Sequence, residues 1–130
     1  MTHHRKPWQV TESASPEALS LLAKAVPNLP KSYLDFLAIG NGGEVEMPEP
    51  IFNLCLESAE SALDYWESGS YTIDNAFVFG GTGGGTYFAF DFQSPEPFSV
   101  IAFDPISPDD SKKTVAPDFS TFVSMAMKPN

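Results

Sequence analysis

Phe77-Val-Phe-Gly-Gly-Thr-Gly-Gly-Gly-Thr-Tyr-Phe-Ala-Phe-Asp-Phe92 decides the fold: two apolar runs flank a cluster of glycines. Phe88, Phe90 and Phe92 alternate with Tyr87, Ala89 and Asp91, and a period of two marks a β-strand with unlike faces. Glycines supply positive φ and let neighbouring backbone approach closely. The stretch therefore predicts two strands at the centre of a sheet, joined by a tight connection. A nucleotide reading fails on the motif. Gly80 to Gly85 has the glycine spacing of a phosphate loop, but Thr86 stands where the lysine belongs. The dinucleotide fingerprint would need a third glycine at Thr86, and both motifs need a helix where a strand follows. The glycines are read as a structural turn, and no cofactor is expected.

Outward from this centre, helices alternate with strands. Ser15-Pro16-Glu17 is a helix start, with a serine cap, proline in the first turn and an acid beside it. Ala18, Leu21, Leu22 and Ala25 then recur at helical spacing until Pro27. Pro30 opens a second helix with Tyr33, Leu34, Phe36 and Leu37 as its apolar stripe. Gly40-Asn41-Gly42-Gly43 stops it, with Gly40 or Asn41 suited to a left-handed cap. Glu44 to Met47 and Ile51 to Leu56 read as strands. Ser58 caps a third helix whose apolar face is Ala59, Ala62, Leu63 and Trp66, and Gly69 ends it. Phe98 to Phe103 is a strand, Asp104 to Pro117 a polar loop. Asp118 caps a last helix carrying Phe119, Phe122, Val123 and Ala126. The class is α+β: a single domain over 15–130 with a twisted, largely antiparallel sheet and packed helices. Residues 1–14 read as a flexible tail with Trp8 and Val10 as anchors.

The 130-residue chain is long enough to bury a core without disulfides or metals. Its net charge is −10, and the distribution says more than the total. Between Ser32 and Ser111 there are fourteen acidic residues and no Lys or Arg. Such a surface repels nucleic acid and anionic lipid and attracts a basic protein. No segment is apolar enough to span a membrane and no secretory h-region follows Lys6, so a cytoplasmic home is expected.

Catalytic groups are scarce. The only histidines are His3 and His4, in the tail, so a Ser-His or Cys-His pair is not expected. Cys55 is the only cysteine and lies between two leucines, which reads as an inert buried thiol. No calcium loop and no metal cluster occur. Asp91 and Asp104 fall at strand ends, where an acid and base pair would have to share a cleft. Trp66 reads as core, while Tyr65 and Tyr71 are freer to serve as contacts.

Leu29-Pro30-Lys-Ser-Tyr33-Leu34-Asp-Phe36-Leu37, followed by Asn41-Gly42-Gly43, resembles the N-terminal signature of the SUKH superfamily. That group contains a fungal cell-wall assembly regulator and many bacterial toxin-immunity proteins. The glycine connection with Gly80, Gly83, Gly84 and Gly85, then Tyr87 to Asp91, is similar to its second signature. Ala116-Pro-Asp118-Phe119-Ser-Thr-Phe122-Val123 is similar to its closing helix. The resemblance implies an α+β fold, no catalytic residues, no metal and a binding role, commonly neutralising a co-encoded toxin, often a nuclease.

The expected function is a non-catalytic immunity protein that binds a basic toxin, as a monomer or weak homodimer. Glu44, Glu46, Glu49, Asp74, Asp109 and Asp110 are its expected acidic contacts. The alternatives are a regulatory module binding endogenous signalling or assembly proteins, an enzyme using Asp91 and Asp104, and a small-ligand binder with a pocket beside the glycine connection.

Overall fold

The computed structural model describes residues 9–10, 12–46, 53–69 and 75–127. Among these residues seven strands form one sheet: β1 (Gln9–Val10), β2 (Gly43–Glu46), β3 (Asn53–Leu56), β4 (Ala76–Gly81), β5 (Tyr87–Asp91), β6 (Val100–Phe103) and β7 (Lys113–Ala116). Their order across the sheet is their order in the chain, and every neighbouring pair is antiparallel. Helices α1 (Pro16–Ala25) and α2 (Lys31–Ile39) lie between β1 and β2 in sequence, and α3 (Ala59–Ser68) between β3 and β4. The one-turn α4 (Pro108–Ser111) joins β6 to β7, and α5 (Phe119–Met127) follows. The class is α+β, as the sequence predicts.

Side-chain oxygens set three helix starts. Ser15 Oγ accepts from Ala18 N at 3.1 Å, Ser58 Oγ from Ser61 N at 3.1 Å, and Asp118 Oδ1 from Thr121 N at 2.7 Å. Each satisfies a first-turn N–H that has no partner within its helix. Gly69 closes α3 in the left-handed region at φ 65°.

The alternation of the central strands splits the apolar side chains between two faces. Phe77, Phe79, Phe88, Phe90, Val100 and Ala102 join Leu54 and Leu56 in a core shared with α1, α2, α3 and α5. Ala76, Val78, Ala89, Ile101 and Phe103 form a second buried cluster on the opposite face. Tyr33 from α2 is fully buried among the rings of Phe77, Phe79, Phe90 and Phe119, with centroids 5.3–6.0 Å away. Phe79 also meets Phe90 at 4.6 Å and Phe122 at 5.7 Å. Burying each ring contributes about 1.5–3 kcal/mol, and edge contacts add to it.

A bulge in β4 fits this packing. Val78 pairs with Ala89 and Gly80 with Phe88, so Phe79 is the extra residue. Gly80 then lies under β3: a Cβ there would sit 2.5 Å from the Cys55 carbonyl oxygen.

Four expectations are corrected. Leu21 is 59% exposed; α1 packs through Ala18, Leu19, Leu22 and Ala25 instead, because position 21 lies off that stripe. Gly40 is extended at φ −148°, and the positive φ falls on Gly42 and Gly43. The loop from Asp104 to Pro117 contains α4 and the edge strand β7. Part of the segment read as a tail joins the sheet: β1 pairs with Glu44 and Gly43, Ala14 N donates to Leu37 O at 2.9 Å, and Asn41 N donates to Glu12 O at 2.9 Å.

Candidate interaction surface

One register row crosses the sheet: Glu44, Cys55, Gly81, Tyr87 and Phe103 lie opposite one another from β2 to β6. The glycine connection, from Thr82 to Thr86, rises from the middle of this row. Thr82 N donates to Thr86 O at 2.9 Å, and Gly84 N donates to Thr82 Oγ1 at 3.1 Å. Gly83 and Gly85 have φ of 80° and 107°, which a side-chain-bearing residue adopts only under strain. The connection is a compact turn, and its Gly83 and Gly85 are structural requirements of that turn.

Glu44 stands exposed at one end of the row. At the other end, beyond Phe103, α4 presents Asp109 and Asp110, both exposed. Four strand spacings separate the ends, roughly 19 Å. Ser111 fastens the α4 turn: its Oγ accepts from Asp104 N at 2.7 Å and donates to Ser107 O at 2.8 Å. The backbone of Glu46 ends β2, while Glu49 and Asp74 lie outside the described residues, as do Tyr71 and both histidines. The fold thus brings three expected contacts, Glu44, Asp109 and Asp110, to one end of the sheet.

The sequence reading missed a second acidic group. Glu60, Asp64 and Glu67 are exposed at i, i+4 and i+7 of α3, a spacing visible in the sequence as one helical stripe. Trp66 on the same helix, read as core from the sequence, is 40% exposed and meets Phe77 in a tilted and Phe92 in an edge contact, with centroids 5.8 and 6.2 Å away. Of the described acids between Ser32 and Ser111, Asp35 alone has a basic partner, Lys31 at 3.0 Å.

The other motif residues hold the frame. Leu29, Tyr33, Leu37, Phe119 and Phe122 are buried, and Phe36 packs edge-on to Phe119 at 5.8 Å. Pro30 is the residue before α2. Asn41 ties the end of α2 to the start of α3: its Oδ1 accepts from Ala59 N at 2.7 Å and its Nδ2 donates to Glu60 Oε1 at 2.8 Å. That hydrogen bond holds the Glu60 carboxyl below its usual range. Gly42 makes the close approach possible, since a Cβ would meet Leu56 O at 2.7 Å.

The chemistry available here is not that of an activated nucleophile. Burial pushes the Cys55 thiol up, and the charges of Glu44 and Glu57 push it further, so it stays protonated near neutral pH. Cys55 is half-buried rather than fully enclosed. Burial likewise raises the Tyr33 phenol, with Glu57 adding to it. Asp91 and Asp104 do not share a cleft. Asp91 N donates to Ser99 O at 2.9 Å, and Ser99 is five residues before Asp104, roughly 17 Å along a strand. A carboxylate pair in glycoside hydrolysis spans at most about 9.5 Å. Each instead closes a turn: Asp91 Oδ1 accepts from Gln93 N at 3.0 Å and Asp104 Oδ1 from Ile106 N at 2.8 Å. Among the described residues, no three His, Cys, Asp or Glu side chains converge as a metal site. No described helix is long and apolar enough to cross a membrane. One cleft of about 530 Å³ is lined by residues 27–32 and 96–98, and another of about 400 Å³ lies between α2 and α5. Neither reaches the glycine connection.

The described residues thus form an α+β frame with acids on its strand ends and on one helix face. The sequence profile of the SMI1 / KNR4 family (SUKH-1) matches residues 13–125, and the chain belongs to that family. At family level this is a protein-interaction domain of the immunity type, and its members are generally non-catalytic. No curated protein matches the chain by sequence.

Proposed function

We propose that the domain binds and neutralises a basic toxin of nuclease type, acting in the cytoplasm without catalysis of its own. One observation carries this reading: fourteen carboxylates lie between Ser32 and Ser111 with no Lys or Arg among them, and of those described only Asp35 has a cation partner. Self-repulsion of this kind costs folding stability, and contact with a basic surface relieves it. Glu44, Asp109 and Asp110 frame one end of the sheet, and Glu60, Asp64 and Glu67 extend the field along α3. Glu46, Glu49 and Asp74 belong to the same acidic stretch and are proposed contacts with them. A nuclease cleft must be positive to hold its polyanionic substrate, so an acidic domain is steered into it and occludes it by packing. The monomer is the favoured form, because β1 offers two residues and β7 carries Lys113 and a bulge, which both blunt a sheet edge.

Salt-gradient elution from the immobilised domain, followed by stopped-flow association with the basic protein recovered, tests the reading. Reversal of Glu44, Asp109 and Asp110 to lysine lowers the association rate about tenfold or more at low salt and flattens its salt dependence. An unchanged rate removes the electrostatic argument. Recovery of endogenous signalling or assembly proteins instead moves the domain to a regulatory module.

A further inference from the structure

Asn41 is the one asparagine of five that is followed by glycine. An Asn-Gly step is prone to deamidation because glycine puts no side chain in the way of its own nitrogen. The Gly42 nitrogen bonds to Asn41 Cγ, the side-chain nitrogen leaves as ammonia, and a cyclic imide forms. Water then opens either imide carbonyl, leaving aspartate or its β-linked isomer. The net change replaces an amide by a carboxylate, and water is the only co-reactant.

The fold blocks the first step in three ways. Both polar atoms of the Asn41 side chain are held by α3, Oδ1 by Ala59 N at 2.7 Å and Nδ2 by Glu60 Oε1 at 2.8 Å, so Cγ is not free to swing toward Gly42. The attacking nitrogen is engaged too, since Gly42 N donates to Gly40 O at 2.9 Å. The Gly42 backbone has little room to shift toward α3, because even a Cβ added there would come within 2.7 Å of Leu56 O and 3.1 Å of Ser58 N. We infer that Asn41-Gly42 is a deamidation site that the folded domain keeps closed, and whose product unfastens the α2–β2 turn from α3.

The second half follows from the same contacts. A carboxylate at position 41 still accepts from Ala59 N, but it has no N–H to offer Glu60. Two carboxylates then face one another across 2.8 Å where one hydrogen bond stood. Opening exposes the site, and reaction while open leaves a chain that closes poorly, so each unfolding event risks a lasting mark.

The test incubates the full chain at mildly alkaline pH, folded and in concentrated urea, and follows the Asn41 peptide by mass spectrometry with isoaspartate detection. Asn41 is the fastest asparagine to react in urea, and it reacts about tenfold or more slowly in the folded chain, since the rate scales with the open fraction. In parallel, Asn41→Asp lowers Tm by about 3–6 °C, and adding Glu60→Gln restores at least half, because the glutamine amide donates to the new carboxylate. Equal rates in the two states overturn the inference. So does an Asn41→Asp chain as stable as its parent, or a loss that Glu60→Gln leaves untouched. Should Asn41→Asp fail to fold, the two rates decide alone.

Discussion

Gly80→Ala is the most demanding test of the packing. The added Cβ would lie 2.5 Å from the Cys55 carbonyl oxygen, about 0.9 Å inside ordinary contact at 3.4 Å, and 3.1 Å from Leu56 Cδ2. The near neighbour is backbone, so it cannot rotate away; β3 must move from β4 by most of an ångström. The β3–β4 ladder is short, with only Cys55 facing Gly81 and Leu56 facing Gly80. A shift of that size breaks one or two hydrogen bonds at about 0.5–1.5 kcal/mol each. Lifting Leu56 from the core adds overpacking strain of about 1–3 kcal/mol. The expected loss is about 2–4 kcal/mol, a fall in Tm of about 8–15 °C for a domain of this size. Gly84→Ala is the control: it is exposed, the nearest atom is Thr82 Oγ1 at 3.7 Å, and it stays within about 0.5 kcal/mol of the parent. Urea unfolding with a common m-value measures both. A Gly80→Ala chain as stable as the Gly84→Ala chain would refute the claim that β3 needs this glycine.

Tyr33→Phe leaves stability unchanged or raises it by up to about 1 kcal/mol in urea unfolding, because the buried phenol O–H has no protein partner to lose. Glu57→Gln acts through pH. Burial raises the Glu57 carboxyl, so the folded chain binds its proton more tightly than the unfolded chain does. The stability it contributes is present below about pH 4 and is lost as pH rises through the raised folded value. The variant therefore melts above the parent at neutral pH, and the gap closes in acid; a gap that widens in acid contradicts the sign. Lys31→Ala changes unfolding by less than about 0.5 kcal/mol, since its ion pair with Asp35 is exposed on both sides, and a larger loss shows that the lysine stem is packing.

Most of the frame is legible in the sequence because its signals are local. Ser15, Ser58 and Asp118 cap the helices they precede, and the alternation from Tyr87 to Asp91 sorts its side chains between faces as expected. What escaped depends on distant partners. In the edge strand β7 Lys113 and Thr114 are both exposed while Val115 and Ala116 both join the core, so no period of two appears. Strand β1 is two residues long and exists only because β2 lies beside it. Asn41 looks like a helix stop until α3 is in place, and then it joins Ser58 in satisfying the first turn of that helix. The contact residues are legible as charge but not as a surface. Glu44 and Asp109 are 65 positions apart in sequence, and only the register brings them to one end of the sheet.

The chain order of the strands has a consequence for how the protein is made. Synthesis delivers each strand after the neighbour it will pair with, from β1 through β7. A growing sheet thus always presents the correct free edge to the next segment, and no strand must be inserted between two that have already met. The longest waits come where α1 and α2 precede β2 and where α3 precedes β4. Those helices later roof the core, so the delay delivers the cover that the phenylalanines of β4 and β5 require. Only α5 arrives after the last strand, and until Phe119 and Phe122 dock, the rings of Phe79 and Phe88 stay open to water.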